Sequence, residues 1–569
     1  MKTTKRFFIA LLGFCLLGNM LAKAAVTDDG FVYVESGTSV RFTGYTGEAK
    51  SLVFPMFEGK TVIVARNFCE SVSNAKEIEE INLTNVDQVL ANAFGVYEDY
   101  DYESDDYETL YVFGFTNLKK VTVGNSIKVS AGAFLGTSVS ELAFSGSLAS
   151  GLSDLASTVT TIDLSSVRTI ADNAFNGFTQ LQTIKNFENV TTIGASAFSG
   201  CIGLTSIDLS NVKSIGASAF SGCTGLTSVD LSSVTSIGVS AFQNCGDAMA
   251  KKGLKEVIWP EGLTEFPATV FCGCAMLESV TNLEGATKIG EFAFYNCSSL
   301  NGTKKFSSAL CSVGEDAFMG TNLTTVVVKS NPLLSDNAFP AAVALNLEIE
   351  DKMAFSDDNE NTFDKITYKR EFTSGKFASL ILPFVPEQID LFDVYQLREN
   401  KENSLVFQVV NEFVPGTPYM VKVKEGYEDV EELTATDATI TKSERDNRVE
   451  AGDWKMIGQY ERIVLNAAEG KAKGVKYYYY KSADNGFYYS MGTLGVSPFR
   501  TYIEAPLNSS AQVRMMVRGF GGVETDIDVV ELEDVLIPMV DAYYDLNGNP
   551  IQVPVEGKVY IVNGKKMIF

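Results

Sequence analysis

LTSIDLSNVKSIGASAFSGCTG, residues 204–225, runs directly into LTSVDLSSVTSIGVSAFQNC, residues 226–245, so one sentence is written twice at a spacing of 22 residues. A period in that range marks a solenoid, because so short a unit cannot cover its own apolar face and must stack on a copy of itself. Gly203, Gly216, Gly222 and Gly225, with Ser and Thr at most other places, weaken a helix, whereas Ile207 and Leu209 alternate as a strand does. Each coil is therefore predicted to hold a short strand, a bend near Gly216 and one helical turn around Ala219-Phe220. Strands of successive coils would pair in parallel about 4.8 Å apart.

Outward from this pair, an Ala-Phe dipeptide recurs, ending at Phe94, Phe134, Phe175, Phe198, Phe220, Phe242, Phe294, Phe318 and Phe339, with Phe68 and Phe271 in variants. From Phe175 the spacing is 21 to 24 residues except between Phe242 and Phe271, where GDAMAKKG (246–253) reads as a loop inserted between coils. The array is assigned to residues 78–354, with 134–158 a degenerate coil. Residues 25–77, short alternations broken by Gly44, Gly47, Pro55 and Gly59, are the expected cap and first coil. Gly59-Lys60-Thr61 matches the tail of a phosphate-binding loop, but Phe54 stands where that loop needs its first glycine, so a strand turn is expected.

The pattern L-x-x-I-x-L-x-x-V-x-x-I-G-x-x-A-F-x-x-C, carried by Leu204, Ile207, Leu209, Val212, Ile215, Gly216, Ala219, Phe220 and Cys223, resembles the BspA-like leucine-rich repeats of bacterial surface proteins. Gly44-Tyr45-Thr46-Gly47 with Gly59, Val62 and Phe68 is similar to the lead-in of such arrays. The resemblance implies a surface-displayed or shed protein, adhesin-like, that binds an extracellular protein of host or bacterial origin and catalyses nothing. It names no partner, since repeat scaffolds host many specificities.

Composition agrees. Hydrophobic residues make up 45% and charged residues 21% of the 569, as in globular proteins. Residues 1–24, with Lys2, Lys5 and Arg6 ahead of the apolar run from Phe7 and Ala22-Lys23-Ala24 after it, read as a cleaved secretory signal. No later apolar run reaches the length of a membrane helix. The formal charge of -25 repels nucleic acid and anionic lipid. The chain has no histidine, which removes the Ser-His-Asp triad, the Cys-His pair and histidine-ligated zinc. A carboxylate glycosidase would need two acids about 5–9.5 Å apart across a cleft, and no isolated pair stands out. No cofactor or metal is expected.

Candidate binding residues fall into two groups. In the strand L-x-x-I-x-L the residue between Ile and Leu points away from the core; Asp163, Asp208 and Asp230 stand there, with the hydroxyls of Ser206 and Ser228 beside them. Such a ladder fits a basic protein surface or a polyol; a solvated face kept polar is the plainer alternative. The insertion 97–111, YEDYDYESDDYETLY, interleaves Tyr97, Tyr100, Tyr102 and Tyr107 with acids. Its alternate acids resemble a calcium loop, but Ser104 replaces the turn glycine and Leu110 the bidentate acid. Tyrosines on a loop also anchor protein partners. Cys201, Cys223, Cys245, Cys274 and Cys297 hold one place in successive coils; stacked in register, their Cβ atoms are too far apart for bridging, so buried free thiols are expected.

Near residue 365 the period stops. Residues 366–532 alternate between Gly, Pro and Asn turns, as an antiparallel, sandwich-like β domain would. Tyr477 to Tyr480, in a hairpin predicted to turn at Asp484-Asn485-Gly486, are either cross-strand pairs or a sugar-stacking platform. On the second reading this domain captures glycans, with exposed coplanar rings. Residues 536–569, through Tyr544-Asp545-Leu546-Asn547-Gly548 and Gly557 to Lys566, resemble the terminal segments of proteins exported by the type IX system across the outer membrane.

Overall fold

A computed structural model describes residues 24–568 apart from 67, 73, 96, 101–109, 125–126, 147–150, 402–403, 441–446, 482–485, 510–511, 519–523, 527–542, 545–549, 552–558 and 563–564. The stack opens on a hairpin, Phe31–Ser36 with Ser39–Tyr45, whose second strand pairs in parallel with Thr61–Val64 and so templates the array. Phe31, Phe42 and Phe54, with ring centroids 4.9 to 5.3 Å apart, close the apolar end as a cap must. Gly59, at φ +73, makes the turn into the strand at Thr61, so the phosphate-loop lookalike is a strand turn.

Most coils then contribute two short strands rather than the one predicted. The first strands (Ser51–Val53, Glu80–Leu83, Lys120–Val123, Glu141–Phe144, Thr161–Asp163, Thr183–Lys185) form one parallel sheet in which Leu142 sits opposite Ile162 and Ile162 opposite Ile184. That register places the degenerate stretch: ELAF is an ordinary rung. The second strands, such as Thr192–Ile193, Ser214–Ile215 and Ser236–Ile237, form parallel ladders of their own. Residues 204–209, expected to be a strand, form none; the first-strand ladder resumes at Ser228–Asp230. The insertion 246–253 is a small hairpin outside the stack, Gly246–Asp247 against Lys252–Gly253.

The Ala-Phe segment is not a helical turn. Two residues of each turn, four apart, take left-handed backbone: Ser196 at φ +53 and Gly200 at +73, and Ser218 at +55 and Gly222 at +74. Alternate amides therefore point along the stack: Ser196, Phe198 and Gly200 donate to Ala217, Ala219 and Ser221 of the next coil at 2.7 to 2.8 Å, while Ser199 and Cys201 donate within their own coil. A helix would keep all of these bonds inside the coil. Here half of them bind one coil to the next. The phenylalanines stack as a buried column, with Phe198–Phe220 at 5.5 Å and 6° and Phe294–Phe318 at 5.1 Å and 7°.

The cysteines follow the same ladder. All eight described cysteines are free, and Cys201, Cys223, Cys245, Cys274 and Cys297 are buried. Each donates its Sγ–H to the carbonyl of the phenylalanine one coil back, as in Cys223 to Phe198 at 3.0 Å and Cys245 to Phe220 at 3.0 Å. Burial pushes the Cys201 thiol up to about 12 and Cys223 and Cys245 well above their usual range, so these groups stay protonated donors.

Array and β domain share a sheet. Ala344–Glu350, from the last coil, pairs in parallel with Thr362–Phe372, which pairs antiparallel with Val430–Thr439. The seam is locked by Asp351, which accepts two hydrogen bonds from Arg500 (2.8 and 2.7 Å) and one from the Tyr368 hydroxyl (2.7 Å). Beyond it lies an eleven-stranded sheet, antiparallel except where Ser404–Val410 meets Gln512–Arg518. Its two halves fold over one another, sandwich-like as expected, so that Phe377 from one end and Val449 and Trp454 from the other share a core with Phe407 and Tyr478.

Candidate functional site

The surface acids of the array have structural duties. Asp163 Oδ1 accepts the Ser165 amide (3.1 Å) and the Asn186 side chain (2.8 Å); Asp208 Oδ1 accepts the Ser210 amide (3.0 Å); Asp230 Oδ1 accepts the Ser232 amide (2.9 Å). Each closes the turn that follows it in the chain, the usual local use of Asp two residues ahead of an amide. That bond from Ser210 holds the Asp208 carboxyl below its ordinary range. Nor do the three form one ladder. Lys185 lies opposite Asp163 in the next coil and pairs with Glu141 at 3.6 Å, and Ile258, 39% exposed, lies opposite Asp230. Asp208 and Asp230, with exposed Ser206 and Ser228, remain as a short acid and hydroxyl patch on two consecutive coils.

The tyrosine-rich insertion is a hairpin, Tyr97–Tyr100 antiparallel to Leu110–Phe113. Tyr97 and Tyr100 lie on its first strand; Tyr102, Tyr107 and the alternate acids from Asp101 onward fall outside the described residues. Among the described residues no group of three or more Asp, Glu or Cys is arranged to hold a metal ion.

The tyrosines of the β domain are no sugar platform. Tyr477 and Tyr478 are buried, and Tyr480 packs against the folded sheet's core. They are cross-strand partners, Tyr478 with Tyr489 at 5.7 Å and Tyr479 with Tyr488 at 6.1 Å, which withdraws the main support for glycan capture. The hairpin forms as predicted, with Lys481 opposite Gly486; its tip at 482–485 lies outside the described residues. A shallow groove of about 520 Å³ runs along the array where the Glu261–Thr264 loop meets Val280–Gly285, edged by Glu261, Glu284 and Lys304.

Sequence reasoning missed another feature. On the outer side of the Ala-Phe turns, the left-handed position ahead of the pair holds Ser196, Ser218, Ser240, Thr269, Asp316 or Asn337, and in one coil Phe292 at φ +54. Phe292 lies 5.6 Å from Tyr295, and both are half-buried without belonging to the core or packing against it. The signal was present in the repeat as a break in its own rule, GASAF becoming GEFAF.

Parallel coils with a phenylalanine spine and thiol ladder define a leucine-rich-repeat solenoid with a C-terminal β domain. Residues 154–251 and 247–346 match the BspA type leucine rich repeat region in six copies, so the array is one of BspA-type leucine-rich repeats. Among solved structures, similarity extends to a leucine-rich repeat protein from Bacteroides ovatus (18% identity, 57% of this chain and 94% of that one, TM-score 0.27). It also extends to a leucine rich cell surface protein from Faecalibacterium prausnitzii (20%, 54% and 96%, 0.23) and to the T. pallidum leucine rich repeat protein (21%, 50% and 89%, 0.21). No curated protein matches the chain. Among the described residues, no helix is long and apolar enough to cross a membrane.

Proposed function

We propose that this chain is an exported, surface-displayed binding protein of adhesin type, non-enzymatic, whose solenoid presents the interaction surface to an extracellular protein of host or bacterial origin. The observation that carries the reading is the BspA-type array itself, stacked through backbone ladders and a buried phenylalanine column. Such a stack leaves its outward positions free to vary without cost to the core. The absence of histidine from the sequence supports binding over chemistry. The β domain, joined to the last coil by a shared sheet and the Asp351–Arg500 pair, serves as a rigid base for the array.

The test is binding of the chain from residue 25 onward to a panel of purified extracellular matrix proteins, beside a glycan array. Saturable binding to a protein, retained by residues 25–354 together with the β domain and abolished when the array is removed, supports the reading. Binding to glycans alone, or hydrolysis of an arrayed glycan, refutes it.

A further inference from the structure

The outer edge of the Ala-Phe turns is small and polar through the middle of the array and changes over three coils. Position by position, Ser199, Ser221 and Gln243 give way to Cys272, Tyr295 and Met319, and Ser196, Ser218 and Ser240 give way to Thr269, Phe292 and Asp316. The backbone ladder fixes who stands beside whom. Phe292 N bonds Glu315 O at 2.9 Å, Asn296 N bonds Met319 O at 2.7 Å and Gly273 N bonds Tyr295 O at 2.7 Å. Cys272, Tyr295 and Met319 are thus neighbours along the stack, with Phe292 against Tyr295, and all four are half-buried outside the core.

Phe292 holds its place against backbone preference. Left-handed φ suits Asn, Asp and small residues, and a bulky side chain there is a true exception. Core packing does not explain it, since Phe292 neither belongs to the core around the phenylalanine column nor packs against it. Around the apolar centre stand Glu291, Glu315, Asp316 and Asp336, brought together by the bonds from Thr269 N to Glu291 O (2.8 Å) and from Asp316 N to Asp336 O (3.2 Å). No ion pair engages these four among the described residues. By contrast, Glu79 lies between Lys50 and Lys119, and Glu141 between Lys120 and Lys185.

We propose that Phe292, Tyr295 and Met319, within the unpaired rim of Glu291, Glu315, Asp316 and Asp336, dock a lysine- or arginine-bearing segment of an extracellular protein that also carries an apolar side chain. The occupant's apolar group lies on the two rings and the thioether, its cations meet the four carboxylates, and a cation over Tyr295 gains from the ring face. The proposal rests on the protein-binding reading above and gives it an address on one side of the stack.

The test uses fluorescence anisotropy on the chain from residue 25, with a labelled synthetic peptide of alternating Lys and Phe, and Lys-Ser and Glu-Phe peptides of equal length as controls. Saturable binding of the Lys-Phe peptide only, weakened about tenfold or more by Phe292→Asn with Tyr295→Ser and by Glu315→Lys with Asp336→Lys, is the expected result. Because Asn fits the left-handed position, Phe292→Asn alone keeps or raises Tm while binding falls, a split that a purely structural role cannot produce. Equal binding of the Lys-Ser peptide, no binding of any peptide, or affinity unchanged in the Phe292→Asn/Tyr295→Ser variant overturns the proposal. If that variant still captures the matrix protein recovered by the intact chain, this docking site is refuted while the protein-binding function stands.

Discussion

Replacing Gly216 by Ala tests the stack directly, because the two readings of the repeat give it opposite signs. If the coil were a helix, Ala would gain about 1 kcal/mol over Gly. In the solenoid, a Cβ on Gly216 would come within 2.6 Å of Ala195 N and of Gly194 C, both backbone atoms of the preceding coil. Ordinary contact needs about 1 Å more, so the coils must separate. Overpacking of this kind costs about 1–3 kcal/mol, and stretching the bond from Gly216 N to Ile193 O (2.8 Å) adds about 1 kcal/mol more. The expected loss is about 2–4 kcal/mol, read as a lower urea midpoint and faster hydrogen exchange at the Gly216 and Ser218 amides. Gly262→Ala is the control, since nothing lies within 4 Å of its Cβ, and its effect should stay below about 0.5 kcal/mol. A Gly216→Ala protein as stable as its parent refutes the stacking argument.

Asp230→Asn keeps the acceptor for the Ser232 amide and should leave Tm unchanged, whereas Asp230→Ala should cost about 0.5–1 kcal/mol in thermal unfolding. If Asn is as damaging as Ala, the charge and not the turn is what matters there. At the seam, burial raises the Asp351 carboxyl, but hydrogen bonds and charge from Arg500 outweigh it and hold the group below its ordinary value. Its contribution is therefore present above about pH 4 and is lost as pH falls through the depressed folded value. Asp351→Asn should lower the unfolding free energy at pH 7 by about 1–3 kcal/mol, and the gap between the two proteins should narrow as pH falls below about 4; a constant gap across that range would contradict the assignment. In the native protein a disulfide reagent at pH 8 should label exposed Cys311 first and leave Cys201, Cys223, Cys245, Cys274 and Cys297 unreacted until denaturant is added. Rapid native labelling of all five would mean the thiol ladder is open to solvent.

By itself the sequence determined the solenoid, the inward phenylalanine column, the unpaired cysteines and the inserted loop at 246–253. These are legible because a stack repeats its environment: a residue type that recurs every coil, such as Phe220 or Cys223, must answer a demand that recurs every coil. Three things were decided only in three dimensions. The conformation of the Ala-Phe turn depends on alternate amides finding carbonyls one coil away, as Phe198 finds Ala219, and no single coil contains that partner. The acids chosen from their spacing also close turns, as Asp208 does with the Ser210 amide, and they do not stack as one continuous ladder, because Lys185 stands opposite Asp163 and Ile258 opposite Asp230. And the outer patch at Phe292 reads in the sequence as noise in a repeat; only stacking brings Phe292, Tyr295 and Met319 together and sets Glu315 and Asp336 beside them, because neighbours along a solenoid lie one coil apart in the chain.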